Sequence, residues 1–160
     1  MSAAIGVGDQ VPEFVVTDHR GQTIRSTDLR GRWVVIFFYP KDNTPACTAQ
    51  ACAMRDQYEQ FGTLNATVIG VSSDSDSSHR SFASRNRLPY AIVSDRDGTL
   101  KRAFGVPRKW FVLPARVTYI VDPSGVVRGM FSGWLNVQGH IQRAMQTIAA
   151  GVGGAGGAEV

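Results

Sequence analysis

Trp33 to Tyr39, seven residues without a polar interruption, is the longest apolar run in the chain. It is rich in β-branched and aromatic residues and stops at Pro40, which predicts a central strand buried on both faces. It is far short of the ~20 residues that a helical membrane span needs. Upstream, residues 14–30 fall into two β-prone pieces around His19-Arg20-Gly21-Gln22, a hairpin pattern. Downstream the apolar period changes. Cys47, Ala51, Met54, Tyr58 and Phe61 recur at helical spacing, so 45–61 is predicted as a helix with Thr44 as N-cap and Pro45 at the first helical position. Residues 65–71 predict a second strand, 77–87 a short helix, 90–93 a third strand and 97–104 another short helix. Within 116–131 two strands flank the turn Asp122-Pro123-Ser124-Gly125. Residues 137–150 predict an amphipathic closing helix, and the glycine-rich stretch 151–160 a flexible tail.

That order, a hairpin followed by strand–helix alternation and then an antiparallel pair with a helix, predicts an α/β fold. A central mixed β-sheet is flanked by helices, and the outline resembles the thioredoxin-like folds. The expected organisation is one domain over 1–150 and a tail over 151–160. A composition of 43% hydrophobic and 19% charged residues over 160 positions supports one globular domain and argues against disorder. The net charge of +4 comes from scattered arginines interspersed with Asp18, Asp28, Asp56 and Asp95, which reads as a solvated surface and not a nucleic-acid footprint. The first residues show no charged head followed by an apolar stretch, so neither a signal peptide nor a membrane association is expected, and the expected compartment is the cytoplasm.

The two cysteines, Cys47 and Cys52, lie five residues apart in the stretch YPKDNTPACTAQAC. A disulfide between them would close too short a loop to stabilise much, so chemistry is the better reason for the pair. Cys47 falls in the first turn of the predicted helix, where unpaired N–H groups and the helix dipole favour a thiolate. In an unbroken helix the two Cα atoms would stand roughly 8–9 Å apart, beyond the ~7 Å reach of a disulfide. Either the pair never bonds or the helix unwinds locally when it does. Zinc is disfavoured, because His19, His79 and His140 show no ligand spacing with the cysteines. His79 reads as a solvated helix residue.

The pattern Pro40-x-x-x-Thr44-x-x-Cys47, with Cys52 following, resembles the peroxiredoxin active-site motif, specifically the bacterioferritin comigratory protein or peroxiredoxin Q branch. GDQVPEF near the start and RVTYIVDPSGVVR resemble that family's opening and its arginine-bearing strand. The resemblance implies a thiol peroxidase that reduces hydrogen peroxide and organic hydroperoxides. Cys47 would be peroxidatic and Cys52 resolving, with Thr44, Pro40 and Arg116 completing the peroxide pocket. The two cysteines would form an intramolecular disulfide, reduced in turn by thioredoxin or glutaredoxin, with no metal or other cofactor. The branch implies a monomer, with a dimer left open. Gln50 departs from the Glu that many members carry. Trp110, Phe111 and Trp134 are candidates for the mouth of a pocket. A thiol redox sensor or electron carrier using the same Cys47 is the alternative reading.

Overall fold

A computed structural model describes residues 5–106, 108–109, 113–114, 116–132 and 137–154. The apolar run becomes β3 (Trp33–Phe38), with all six residues buried. It is preceded by the hairpin β1 (Val15–Thr17) and β2 (Thr23–Arg25), paired antiparallel. After it come α1 (Pro45–Asp56), α2 (Tyr58–Thr63), β4 (Ala66–Ser72), α3 (Asp76–Asn86), β5 (Ala91–Ser94) and α4 (Thr99–Phe104). The chain continues through β6 (Arg108–Lys109), β7 (Leu113–Pro114), β8 (Val117–Val121), β9 (Val127–Ser132) and α5 (Val137–Gly154). The central sheet has the order β5-β4-β3-β8-β9. β4 and β5 run parallel to β3, and β8 and β9 are antiparallel additions, so the sheet is mixed as expected.

Alternation along β3 divides the core. Trp33, Val35 and Phe37, with Tyr39 beyond them, face a layer built from α1, α2, α3 and α5, including Cys47, Ala51, Met54, Phe61, Phe82 and Ile148. Val34, Ile36 and Phe38 face the opposite layer, with Leu100 and Phe104 of α4. A strand covered on both faces has no reason to alternate polar and apolar residues, which explains the uninterrupted run.

Four of the secondary-structure expectations need correction. The helix expected over 45–61 breaks at Gln57, whose φ of −102° and ψ of 3° separate α1 from α2. The apolar stripe survives the break, and Phe61 still reaches the core. Asn65 stands outside β4 in left-handed backbone (φ 57°). Arg108–Lys109 and Leu113–Pro114 pair antiparallel as β6 and β7, which no periodicity announced. The closing helix runs to Gly154, four residues past the expected end at 150. Gly151 is there for close approach: a Cβ would lie 2.4 Å from the Trp33 ring. Among the described residues no helix is long and apolar enough to cross a membrane.

Candidate active site

The loop from β3 into α1 is held by one buried carboxylate. Asp42 Oδ1 accepts from the Tyr39 hydroxyl at 2.6 Å. Asp42 Oδ2 accepts from the Ser78 hydroxyl at 2.7 Å and meets His79 Nδ1 at 2.7 Å. The Asp42 backbone N–H donates to Asp74 Oδ2 at 2.7 Å. Burial alone would raise the Asp42 carboxyl, but hydrogen bonds from His79, Tyr39 and Ser78 hold it below the usual carboxylate range. Ligand atoms of Asp42, Asp74 and His79 lie within 4.8 Å of one another. The Asp42 oxygens are already engaged by three protein partners, however, so the cluster is a hydrogen-bond hub. His79, expected to be solvated, is fully buried. Its ring packs under the active-site loop because α3 turns that face inward.

Asn43 follows in left-handed backbone (φ 66°), and its Oδ1 accepts from Arg85 at 3.2 Å. Thr44 occupies the N-cap position with extended backbone, but its side chain makes no capping bond. The hydroxyl donates instead to the Lys41 carbonyl at 2.9 Å, which corrects the capping expectation. Pro40 is half-buried at the start of the loop.

Cys47 is the third residue of α1 and is 2% exposed. Arg116 Nη2 donates to its Sγ at 3.3 Å, and Nη1 donates to Gln50 Oε1 at 2.5 Å. Arg116 is itself 2% exposed. Topology puts it there: Phe38 pairs with Val117, so the residue before Val117 lies level with the end of β3 that feeds the Cys47 loop. The sulfur is thus enclosed by the core on one side and capped by a guanidinium on the other. Gln50 Nε2 and Arg116 Nε are buried and have no hydrogen-bond partner among the described residues. Gln50 is neutral, so the arginine's charge is not cancelled by its nearest side-chain partner.

Cys52 is half-buried on the same unbroken helix, and both thiols are free. Its S–H donates to Asn86 Oδ1 at 3.5 Å. Arg55 donates to the Asn86 carbonyl at 2.8 Å, and the Tyr90 hydroxyl donates to the Ala51 carbonyl at 2.8 Å. Helix geometry keeps the two cysteines roughly 8–9 Å apart at Cα. The structure therefore brings Cys47 and Arg116 together and leaves Cys52 apart.

Sequence reading passed over Asp42, Tyr90 and the clamping role of Gln50, and placed His79 in solvent. Nothing local marks them except the placement of Gln50 three residues after Cys47, which is one helical turn. His140 of α5 is also buried, with Nδ1 2.9 Å from Thr118 Oγ1. Burial, then the charges of Arg116 and Arg143, push its imidazole below the ordinary range. Trp110, Phe111 and Trp134, suggested as a pocket mouth, lie outside the described residues.

Comparison with known proteins places this geometry in company. The AhpC/TSA family matches residues 7–130. The chloroplastic peroxiredoxin Q of Gentiana triflora is 41% identical over 147 residues, covering 91% of this chain and 68% of its own. The crystal structure of the peroxidoxin BcpB from Mycobacterium tuberculosis superposes with a TM-score of 0.83 at 33% identity, covering 90% of this chain and 96% of that one. The bacterioferritin comigratory protein of Xanthomonas campestris, studied for its alkyl peroxide reduction activity, superposes with a TM-score of 0.82 at 30% identity, over 90% of this chain and 99% of that one.

Proposed function

The chain belongs to the AhpC/TSA family, in its peroxiredoxin Q branch, and is a thiol peroxidase; from that premise we propose that Cys47 is the peroxidatic sulfur and Cys52 the resolving one. The observation that supports this most directly is the Arg116 guanidinium 3.3 Å from the Cys47 sulfur. An anion forming at that sulfur meets a fixed positive charge and the open N–H groups of the first helical turn.

The reaction begins when the Cys47 thiolate attacks the terminal oxygen of a hydroperoxide. A sulfur–oxygen bond forms as the oxygen–oxygen bond breaks, and the electron pair leaves on the second oxygen, which takes a proton to give water or an alcohol. Arg116 stabilises the charge on that departing oxygen. Thr44 already donates to Lys41, so its oxygen can accept the peroxide O–H. Pro40 excludes water from one side. Cys47 is left as a sulfenic acid. α1 then opens from its start as far as Cys52, the Cys52 thiol attacks the sulfenic sulfur, and a disulfide and one water result. A protein dithiol, thioredoxin or glutaredoxin, returns the pair to thiols by exchange.

Both hydrogen peroxide and organic hydroperoxides are substrates in this scheme. The enzyme works as a monomer in a reducing compartment, the cytoplasm. The folded unit is one domain closed by α5. The test is mass spectrometry after one equivalent of peroxide. The wild type should lose two hydrogens and show a Cys47–Cys52 link, Cys52→Ser should gain one oxygen on Cys47, and Cys47→Ser should stay unchanged. Oxygen found on Cys52 in the wild type would overturn the assignment.

A further inference from the structure

Resting on the Cys47 and Cys52 roles above, we infer that the basic rim around the end of α3 is the docking surface for the reductant, a protein dithiol whose reactive cysteine sits in an acidic face. Cys52 is half-buried whereas Cys47 is 2% exposed, so the resolving sulfur marks the approachable side. Its partner Asn86 is flanked in the chain by Arg85 and Arg87, both exposed. Arg85 reaches across to Asn43 of the active-site loop at 3.2 Å, and that loop also carries exposed Lys41. Arg55 comes in from α1 onto the Asn86 carbonyl at 2.8 Å.

Arg55 and the cations flanking Asn86 in the chain thus lie around the residue that holds the Cys52 sulfur, and Arg85 links them to the loop that carries Lys41. Only Arg55 has a carboxylate partner, the exposed Asp56 at 2.9 Å; Arg85, Arg87 and Lys41 form no ion pair among the described residues. A helix dipole rewards a cation in the last turn of α3. It gives no reason for Arg55 to reach there from α1. The rim also lies mostly outside the stretch that must unwind, so it persists in the disulfide form.

The exchange it serves is anionic throughout. A reductant thiolate attacks Cys52 Sγ and forms a mixed disulfide, while Cys47 leaves as a thiolate against Arg116. The reductant's second thiol gives up its proton and attacks the reductant sulfur of the mixed disulfide. Cys52 leaves as a thiolate and takes that proton, and the reductant departs as its own disulfide, two electrons poorer. Positive potential at the rim steers an acidic face to the site and favours each thiolate.

The experiment compares steady-state peroxide consumption with thioredoxin and with dithiothreitol, a small neutral dithiol. For the double variant Arg85→Glu/Arg87→Glu, kcat/KM for thioredoxin should fall about tenfold at low ionic strength, and the gap should narrow at about 0.5 M salt. Its rate with dithiothreitol should stay within about twofold, as steering requires no macromolecular partner there. The control Arg25→Glu/Arg32→Glu changes net charge equally at exposed positions outside the rim and should leave thioredoxin turnover nearly intact. Equal losses in rim and control variants, or a parallel loss with dithiothreitol, would overturn the inference. Wild type that consumes peroxide with dithiothreitol but never with thioredoxin refutes the docking surface alone. Wild type inactive with both refutes the peroxidase roles beneath it.

Discussion

Tyr90→Phe isolates the restraint on the helix that must open. Tyr90 is 1% exposed, and its hydroxyl donates to the Ala51 carbonyl at 2.8 Å. The substitution keeps the ring, its edge contact with Phe37 and its packing on Tyr58. It removes one hydrogen bond that ties the middle of α1 to the start of β5. Ala51 keeps its helical acceptor role, so no carbonyl is orphaned in the closed state. A neutral hydrogen bond contributes about 0.5–1.5 kcal/mol net. Lost only from the closed form, that amount raises the population of opened helix about 2- to 12-fold at 25 °C. Disulfide formation after one equivalent of peroxide should accelerate by that factor, followed by stopped-flow tryptophan fluorescence and acid quench with mass spectrometry. The first step should not change, because Cys47, Gln50 and Arg116 are untouched. With excess peroxide, less protein should over-oxidise to sulfinic acid, since the competing disulfide forms sooner. A disulfide step that is unchanged or slower, with the first step intact, would show that the Tyr90 bond does not break on the way to the disulfide.

Asp42→Asn should cost several kcal/mol in urea unfolding at pH 7, because it removes the charge at a buried hub. Asp42 lies below its usual range when folded, so its contribution is complete above about pH 4 and is lost as pH falls further; the wild type should lose stability over that interval and the variant should lose less. Arg116→Gln should lower the second-order rate constant with peroxide about 10²- to 10³-fold, as removal of an oxyanion donor does, with the far-ultraviolet circular dichroism unchanged; an undiminished rate would exclude Arg116 from the chemistry. Gly151→Ala places a methyl 2.4 Å from the Trp33 ring, and should cost about 1–3 kcal/mol in chemical denaturation although alanine is the better helix former.

Much of the molecule was legible as local pattern. Secondary structure follows from the spacing of apolar residues over a few positions, and the buried run of β3, the stripe on α1 and the Asp122–Gly125 turn all carry that signal in themselves. The cysteine pair, its place at a helix start and its inability to bond within an intact helix are likewise properties of a short segment. Tertiary structure alone decided which distant groups meet. Arg116 is 69 residues from Cys47 and His79 is 37 from Asp42, and only the antiparallel β3–β8 register and the docking of α3 bring them into contact. The break at Gln57, the inward face of His79, the diversion of the Thr44 hydroxyl and the glycine at 151 were also settled there. Each depends on the space left by neighbours that the local sequence does not contain, because periodicity names the face that is buried but not the group that will be buried against it.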